Sequence, residues 1–222
     1  MSERRQGGKM LPRDLRDVVI GAPWAYDEGF RIDTVMPSAV VLRAVERGLI
    51  PHECRVVDLG CGKNPRNALY LAGKLDCHVD AVDLEPVDLP QGLSRDVRRR
   101  MRFFQSPVTE FELARARYEA AVLARLIQYV SPQDLELLML RLHASLTQGG
   151  SMTLSYTAEG GILTKGDEYG IDVFQHPIDA VGQLLTDTGF EVLNVQQGAL
   201  FSTSVPHAGT EAVTYDVLAK KE

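Results

Sequence analysis

The sequence lacks long hydrophobic runs, has few cysteines and carries no excess of positive charge. No apolar segment approaches the ~20 residues that a membrane-spanning helix needs. The 3 cysteines form no CxxC pair, which argues against a structural zinc site and a disulfide framework and agrees with a reducing compartment. A net charge of −6 gives the molecule no overall attraction for nucleic acid or anionic membranes. We therefore expect a cytoplasmic protein without a metal site, for which a nucleic-acid or membrane partner is disfavoured.

The composition is that of one soluble domain behind a polar tail. Of the 222 residues, 45% are hydrophobic and 24% are charged, and no linker divides the chain. The first residues are charged and lack the apolar core of a secretion signal, which also favours the cytoplasm. We predict a tail and possible lid at 1–33, followed by one domain at 34–222. Trp24, Tyr26 and Phe30 in that tail are expected either to cover a site or to anchor the segment.

Apolar strands alternate with helices along the domain, which predicts an α/β fold. The expected architecture is a Rossmann-like, seven-stranded, mostly parallel sheet with helices on both faces. No helix separates the last two strands, so they should form a C-terminal antiparallel hairpin at one edge. The predicted strands are 55–59, 78–83, 101–105, 119–124, 151–156, 190–196 and 212–220. The predicted helices are 37–49, 67–75, 94–100, 131–146 and 178–188, with loops at 157–175 and 198–210.

A glycine-rich segment between the first strand and the next helix is the strongest functional signal. Gly60 and Gly62 permit positive φ and a close approach of backbone to ligand, and the helix that follows offers free N–H groups. Asp83 ends the next strand, roughly 20 residues downstream, where a carboxylate suits the two hydroxyls of a ribose. This arrangement predicts nucleoside binding.

Four motifs in this order resemble class I S-adenosylmethionine (SAM)-dependent methyltransferases. They are Val57–Gly62, the Val82-Asp83 strand end, Tyr118–Leu123 and Gln148-Gly149-Gly150. With the terminal hairpin, the resemblance covers almost everything after residue 34. The runs at 67–72 and 78–83 look most like the tellurite-resistance and thiopurine-type branch, which acts on small molecules. The resemblance implies SAM as cofactor and a small-molecule methyl acceptor, and leaves the oligomeric state unspecified.

The resemblance also implies which residues bind the cofactor, at the carboxyl ends of the strands. Gly60, Cys61 and Gly62 would approach the methionine part of SAM, with Asp58 supporting the loop. Asp83 would accept hydrogen bonds from both ribose hydroxyls. The remaining expected contacts are Asn64 in the loop, Leu84 after Asp83, Ser106, Pro107 and Val108 beside the adenine, and Ala124 and Arg125 beside the sulfonium.

Two departures from the family pattern fall within these residues. Asn64 and Pro65 stand where a third glycine is common, and we expect Asn64 to supply a left-handed backbone in its place. Ser106 and Pro107 stand where an acidic residue often holds the adenine amino group, so a serine or backbone oxygen would have to replace that contact.

The same βαβ unit leaves two other functions open. One is a nicotinamide-dependent oxidoreductase, which the incomplete glycine fingerprint and the terminal hairpin disfavour. The other is a methyltransferase-fold protein that binds SAM with little or no activity, suggested by Asn64 and Pro107. Ala124-Arg125-Leu126-Ile127 replaces the N-P-P-Y-like motif of amino-directed DNA methyltransferases, and no general base is evident there. We therefore assign no catalytic residue.

Several charged, aromatic or nucleophilic side chains belong to no recognisable motif. The arginine-rich run Arg95–Arg102 is interpreted as a solvated helix face rather than an RNA or phosphate site, because no aromatic residues interleave it. His176 is expected at the surface or in packing, and Cys61 is expected to fill the loop without acting as a nucleophile. Tyr129 and Tyr156 follow the fourth and fifth strands and are candidates for a substrate wall.

Overall fold

A computed structural model describes residues 32, 35–160, 172–201 and 211–222. Seven strands form one sheet: β1 (Arg55–Leu59), β2 (His78–Asp83), β3 (Met101–Gln105), β4 (Tyr118–Ala124), β5 (Leu146–Gly160), β6 (Phe190–Phe201) and β7 (Glu211–Lys221). Within the described residues, five helices accompany them: α1 (Ala39–Glu46), α2 (Arg66–Lys74), α3 (Arg95–Arg100), α4 (Pro132–Ser145) and α5 (Ile178–Asp187). A 3-10 turn at Ile127–Tyr129 follows β4.

The strand order across the sheet is β3-β2-β1-β4-β5-β7-β6. The first five strands in that order run parallel, whereas β7 lies antiparallel between β5 and β6. The predicted fold class and the predicted antiparallel hairpin are therefore confirmed. The parallel strands all end on the same edge, which gathers the loops after β1 to β5.

Helices cover both faces because side chains alternate along each strand. Val57 and Leu59 of β1 pack in one apolar core with α4 and α5. Val56 packs in the other core with α1, α2 and α3. Helix starts follow their local signals: Ser131 Oγ accepts the N–H of Asp134 at 3.2 Å, with proline at the first position of α4.

The structure corrects the bounds of two strands. Strand β5 was expected over 151–156 but runs from Leu146 to Gly160, so the predicted turn lies inside it, with Gly149 at φ +72°. Strand β6 continues to Phe201. Residues 157–160 and 198–201, predicted as loops, pair instead with β7. Pairing with β7 determines where these two strands end, and the local pattern of polar and apolar residues does not reveal that pairing.

The segment 1–31, with Trp24, Tyr26 and Phe30, lies outside the described residues, so the predicted lid and the boundary at 33 stay predictions. Most of the two predicted loops also lies outside them. Over the part of the chain that the structure describes, no helix has both the length and the apolar character needed to cross a bilayer.

Candidate cofactor and substrate site

The glycine loop after β1 folds against the end of β2. The N–H groups of Gly60 and Cys61 donate to Val82 O at 2.8 and 3.1 Å. Gly60 has φ +69°, and a Cβ placed on it would lie 2.8 Å from Leu126 Cδ1. Gly62 has φ +74°, and nothing lies within 4 Å of the position its Cβ would take. The loop is therefore packed on one side and open beside Gly62.

Asn64 does not take the left-handed conformation expected of it. Among the described residues other than glycine, positive φ occurs at Glu53, Asp76, Ala116 and Arg125. The left-handed positions of the loop are Gly60 and Gly62, so the turn is complete before Asn64 is reached. Asn64 O instead accepts the N–H of Arg66 at 2.8 Å, where α2 begins.

Asp83 links the end of β2 to the glycine loop. Its Oδ2 accepts the N–H of Gly62 at 2.7 Å, and its Oδ1 accepts the N–H of Glu85 at 3.0 Å. Each carboxylate oxygen has a second lone pair for another donor. Asp83 is thus positioned beside the open backbone at Gly62, where the resemblance places a ribose.

Asp58 is a fully buried carboxyl group beneath the same loop. Burial raises the pKa of Asp58 to about 8; the N–H of Ala68 lowers it in part, and the charge of Asp83 raises it further. The backbone of Ala68 is near enough to lower the pKa, yet both carboxyl oxygens lack a hydrogen-bond partner among the described residues. A buried carboxyl without hydrogen bonds favours a nearby cation or a proton.

Cys61 is buried within the loop and its thiol is a weak donor to Gly62 O at 3.6 Å. Burial raises the pKa of the Cys61 thiol, and the charges of Asp58 and Asp83 raise it further. The thiol therefore stays protonated at neutral pH, which agrees with a packing role. Cys54 and Cys77 are also free, with sulfur atoms 3.4 Å apart in the core.

The turn after β3 is tied to the end of β2 and borders an exposed apolar side chain. Leu84 is 65% exposed directly after Asp83. The N–H of Ser106 donates to Asp83 O at 2.9 Å, and the Ser106 hydroxyl donates to Pro107 O at 3.0 Å. Val108 packs against the core. These predicted adenine contacts therefore lie together beside the predicted ribose ligand.

The chain leaves β4 through a strained residue. Arg125 has φ +58°, and its N–H donates to Ser155 O at 2.7 Å and to Ser155 Oγ at 3.2 Å. Its side chain is exposed, whereas Ala124 is half-buried. A left-handed arginine costs of order 1–3 kcal/mol, and such strain is common at functional sites.

Gln128 and His176 organise the loop after β4. Gln128 is fully buried; its Nε2 donates to Arg125 O at 2.9 Å, while its Oε1 has no partner among the described residues. His176 is buried, and its Nε2 lies 2.9 Å from Ile127 O and 3.1 Å from Val130 O. Two carbonyl acceptors require that this nitrogen carries a proton. His176 thus packs the segment 172–177 onto the loop, in agreement with the packing alternative.

Sequence reasoning did not identify Gln128 as a site residue. The available signal was a polar side chain inside the apolar run that follows β4. Of the two tyrosines predicted to line the substrate, Tyr129 is 43% exposed after β4. Tyr156 is buried, with its ring 5.9 Å from that of Tyr215, so it is a core residue.

The sheet order, the glycine loop after β1 and the carboxylate at the end of β2 are together those of the class I SAM-dependent methyltransferase fold. Residues 56–150 match the family model of a methyltransferase domain, which confirms the predicted class. The chain is not matched by any curated protein.

Three solved structures illustrate the similarity. The chain resembles 1,6-didemethyltoxoflavin-N1-methyltransferase of Burkholderia thailandensis, solved with 1,6-didemethyltoxoflavin and S-adenosylhomocysteine, with 21% identity, a TM-score of 0.62, and coverage of 82% of this chain and 76% of that one. It resembles a SAM-dependent methyltransferase of Methanosarcina mazei with 14% identity and a TM-score of 0.60. The match covers 80% of this chain and 96% of that one. It resembles phosphoethanolamine N-methyltransferase 2 of Haemonchus contortus, solved with SAM, with 14% identity and a TM-score of 0.61. The match covers 82% of this chain and 52% of that one.

At these identities the solved structures support the fold alone. The tellurite-resistance and thiopurine-type branch stays a prediction.

Proposed function

We propose that this protein transfers the methyl group of SAM to a small-molecule acceptor. The observation that carries the proposal is the open backbone at Gly62 beside the carboxylate of Asp83, at the carboxyl ends of β1 and β2. Class I folds place the cofactor at this edge of the sheet. The similar protein of Burkholderia thailandensis, by its name, methylates a small molecule.

The proposed cofactor position follows the order of the strands. The methionine part would lie over the Gly60–Gly62 turn, where Asp58 offers a buried carboxyl to its positive charge. The ribose would lie at Asp83. Its two hydroxyls would donate to the carboxylate oxygens, which also accept the N–H groups of Gly62 and Glu85. The adenine would lie between the exposed Leu84 and the turn of Ser106–Val108. Ser106 or backbone carbonyls would replace the family's acidic contact.

The proposed chemistry is an in-line displacement at the methyl carbon. The sulfonium is already an activated leaving group, so the protein contributes alignment and exclusion of water. A sulfur, selenium or tellurium acceptor needs no general base. Arg125 and Tyr129, both exposed after β4, are the described residues best placed to meet an acceptor. We assign neither of them a proton-transfer role.

Calorimetric titration with SAM tests the cofactor site. The substitution Asp83→Ala should weaken SAM binding by about 10-fold or more, because a charge-assisted hydrogen bond contributes ~1.5–3 kcal/mol. Glu85→Ala is the matched control, since Glu85 is an exposed acid two residues away. Unchanged affinity after Asp83→Ala would contradict the role of Asp83, and wild-type protein that fails to bind SAM would contradict the proposed function.

Transfer of radioactivity from methyl-labelled SAM tests the acceptor class. Purified protein is incubated with a metabolite extract passed through a filter that retains macromolecules. We expect labelled small molecules and stoichiometric S-adenosylhomocysteine, with less of both for Asp83→Ala. If the protein binds SAM but labels no small molecule in the extract, the result would favour the alternative of a SAM-binding protein without methyltransferase activity.

A further inference from the structure

A cavity lies at the opposite end of the parallel strands from the proposed cofactor site. Its volume is about 260 Å³. Arg55, His78 and Tyr118 are the first residues of β1, β2 and β4, so the cavity opens at the amino ends of the strands. Strand β1 has five residues, which places this edge about 13 Å from the glycine loop. The side chains that line the cavity are Arg55, His78, Asp80, Arg99, Arg100, Arg102, Arg117 and Tyr118.

The lining of this arginine cavity is strongly basic although the protein is acidic. Five arginines converge there against one carboxylate, that of Asp80, in a chain with 30 acidic and 24 basic residues. Arg102 donates to both oxygens of Asp80, at 2.7 and 2.6 Å, and Tyr118 donates to one of them at 2.9 Å. Asp80 is therefore fully used by its present partners.

Of the other guanidinium groups, that of Arg100 is ion-paired with Asp76 at 3.0 Å, whereas the remaining three have no equivalent partner among the described residues. Arg117 reaches Asp80 at 3.5 Å, but its Nε is buried and makes no hydrogen bond within the described residues. No ion pair involves the side chain of Arg55 or Arg99 in the described ranges. Packing like charges together costs stability unless an anion compensates them. The cavity has the charge and the unused donors of an anion site.

The shape and chemistry of the lining indicate the kind of anion. Guanidinium groups recognise phosphate through paired N–H donors. Several such groups around one open concavity suit a ligand with two or three linked phosphates. Among the described residues that line the cavity, Tyr118 is buried and His78 is the one exposed ring, so there is no row of aromatic side chains on which successive bases of single-stranded RNA could stack.

We propose that the arginine cavity binds a compact polyphosphate group, free or as part of a nucleotide, at a site separate from SAM. The arginine-rich run thus divides into two parts: Arg98 is exposed outside the cavity, whereas Arg99, Arg100 and Arg102 line it. The proposal holds whether or not the protein methylates a substrate, because it concerns the other edge of the sheet.

Titration calorimetry with tripolyphosphate tests the proposal, with pyrophosphate, ATP and sulfate as further ligands. We expect saturable one-to-one binding of tripolyphosphate, weaker at higher salt, and little binding of sulfate. Arg55→Gln and Arg99→Gln should each weaken it by about 10-fold or more, as lost charge-assisted hydrogen bonds do. Arg98→Gln is the matched control on the same helix and should bind as the wild type does. Tighter binding of ATP than of tripolyphosphate would identify a nucleotide as the source of the phosphates.

Four outcomes would overturn the proposal. They are no tripolyphosphate or pyrophosphate binding by the wild type, an equal loss of affinity in Arg98→Gln, competition between tripolyphosphate and SAM, and affinity for RNA oligomers that keeps rising with length beyond the size of the cavity. Circular dichroism and SAM titration of each variant establish that the fold is intact. Arg55 and Arg99 are both exposed, so these substitutions disturb little packing.

Discussion

Asp58 combines complete burial with a carboxyl group that no described residue hydrogen-bonds. The unfolded chain loses this proton near pH 3.8, whereas the folded protein holds it up to about pH 8. The folded state therefore binds the proton more tightly, and Asp58 lowers stability progressively as pH rises between these values. Above pH 8 the penalty is complete. The positive charge of a bound SAM would relieve the same penalty.

The substitution Asp58→Asn should therefore stabilise the unliganded protein at pH 8 by on the order of a few kcal/mol, and by progressively less as the pH falls to 4. Urea unfolding measured across this pH range provides the test. Asp88→Asn serves as the control, because Asp88 is exposed. Parallel stability profiles for wild type and Asp58→Asn would mean that the Asp58 carboxyl is not held in its protonated form.

At the scale of elements, the site depends on the loop after β4 pressing against the loop after β1. Leu126 occupies the space where a side chain at residue 60 would lie. The strained Arg125 directs the chain into this contact, and Gln128 fixes the carbonyl of Arg125. The contact between these two loops, which are distant in sequence, thus sets the position of the glycine turn beneath the proposed cofactor.

The substitution Gly60→Ala should destabilise the protein and weaken SAM binding. Alanine at φ +69° costs about 1–2 kcal/mol, and the contact with Leu126 should add about 1–3 kcal/mol. Gly48→Ala is the matched control, because Gly48 has φ +70° and no neighbour within 4 Å of its Cβ position. Measured in a Leu126→Ala background, the penalty of Gly60→Ala should fall towards that of Gly48→Ala, because only the Cβ of residue 126 then remains, at 3.3 Å. An equal penalty in both backgrounds would rule out the contact as its cause.

Local sequence signals anticipated most elements but not the contacts between them. Strands β1, β2 and β3 begin and end where periodicity and turn residues place them. The extensions of β5 and β6 depend on pairing with β7, which no local pattern contains. The conformation of Asn64 was misjudged because a turn completed at Gly62 needs no third left-handed residue. Gln128 went unrecognised because only the folded loop shows it buried beside Arg125.

At the scale of the whole molecule, one sheet separates two apolar cores, and the packing of each core affects the stability of the other. Alternate residues of a single strand belong to opposite cores, as Val56 and Val57 do. A strand displaced by repacking on one face therefore moves the side chains on the other. Because the proposed cofactor site and the arginine cavity lie at opposite ends of these strands, both depend on the stability of one framework.

Removing side-chain volume from either core should weaken the whole domain. Leu138→Ala in α4 and Leu71→Ala in α2 remove fully buried side chains from opposite faces, and each should cost about 2–5 kcal/mol. Native-state hydrogen exchange provides the measurement. In each variant, the slowest-exchanging amides of β1, α2 and α4 should lose protection by the same free energy, since they exchange through global unfolding. Loss of protection on the mutated face alone would indicate that the two layers open separately.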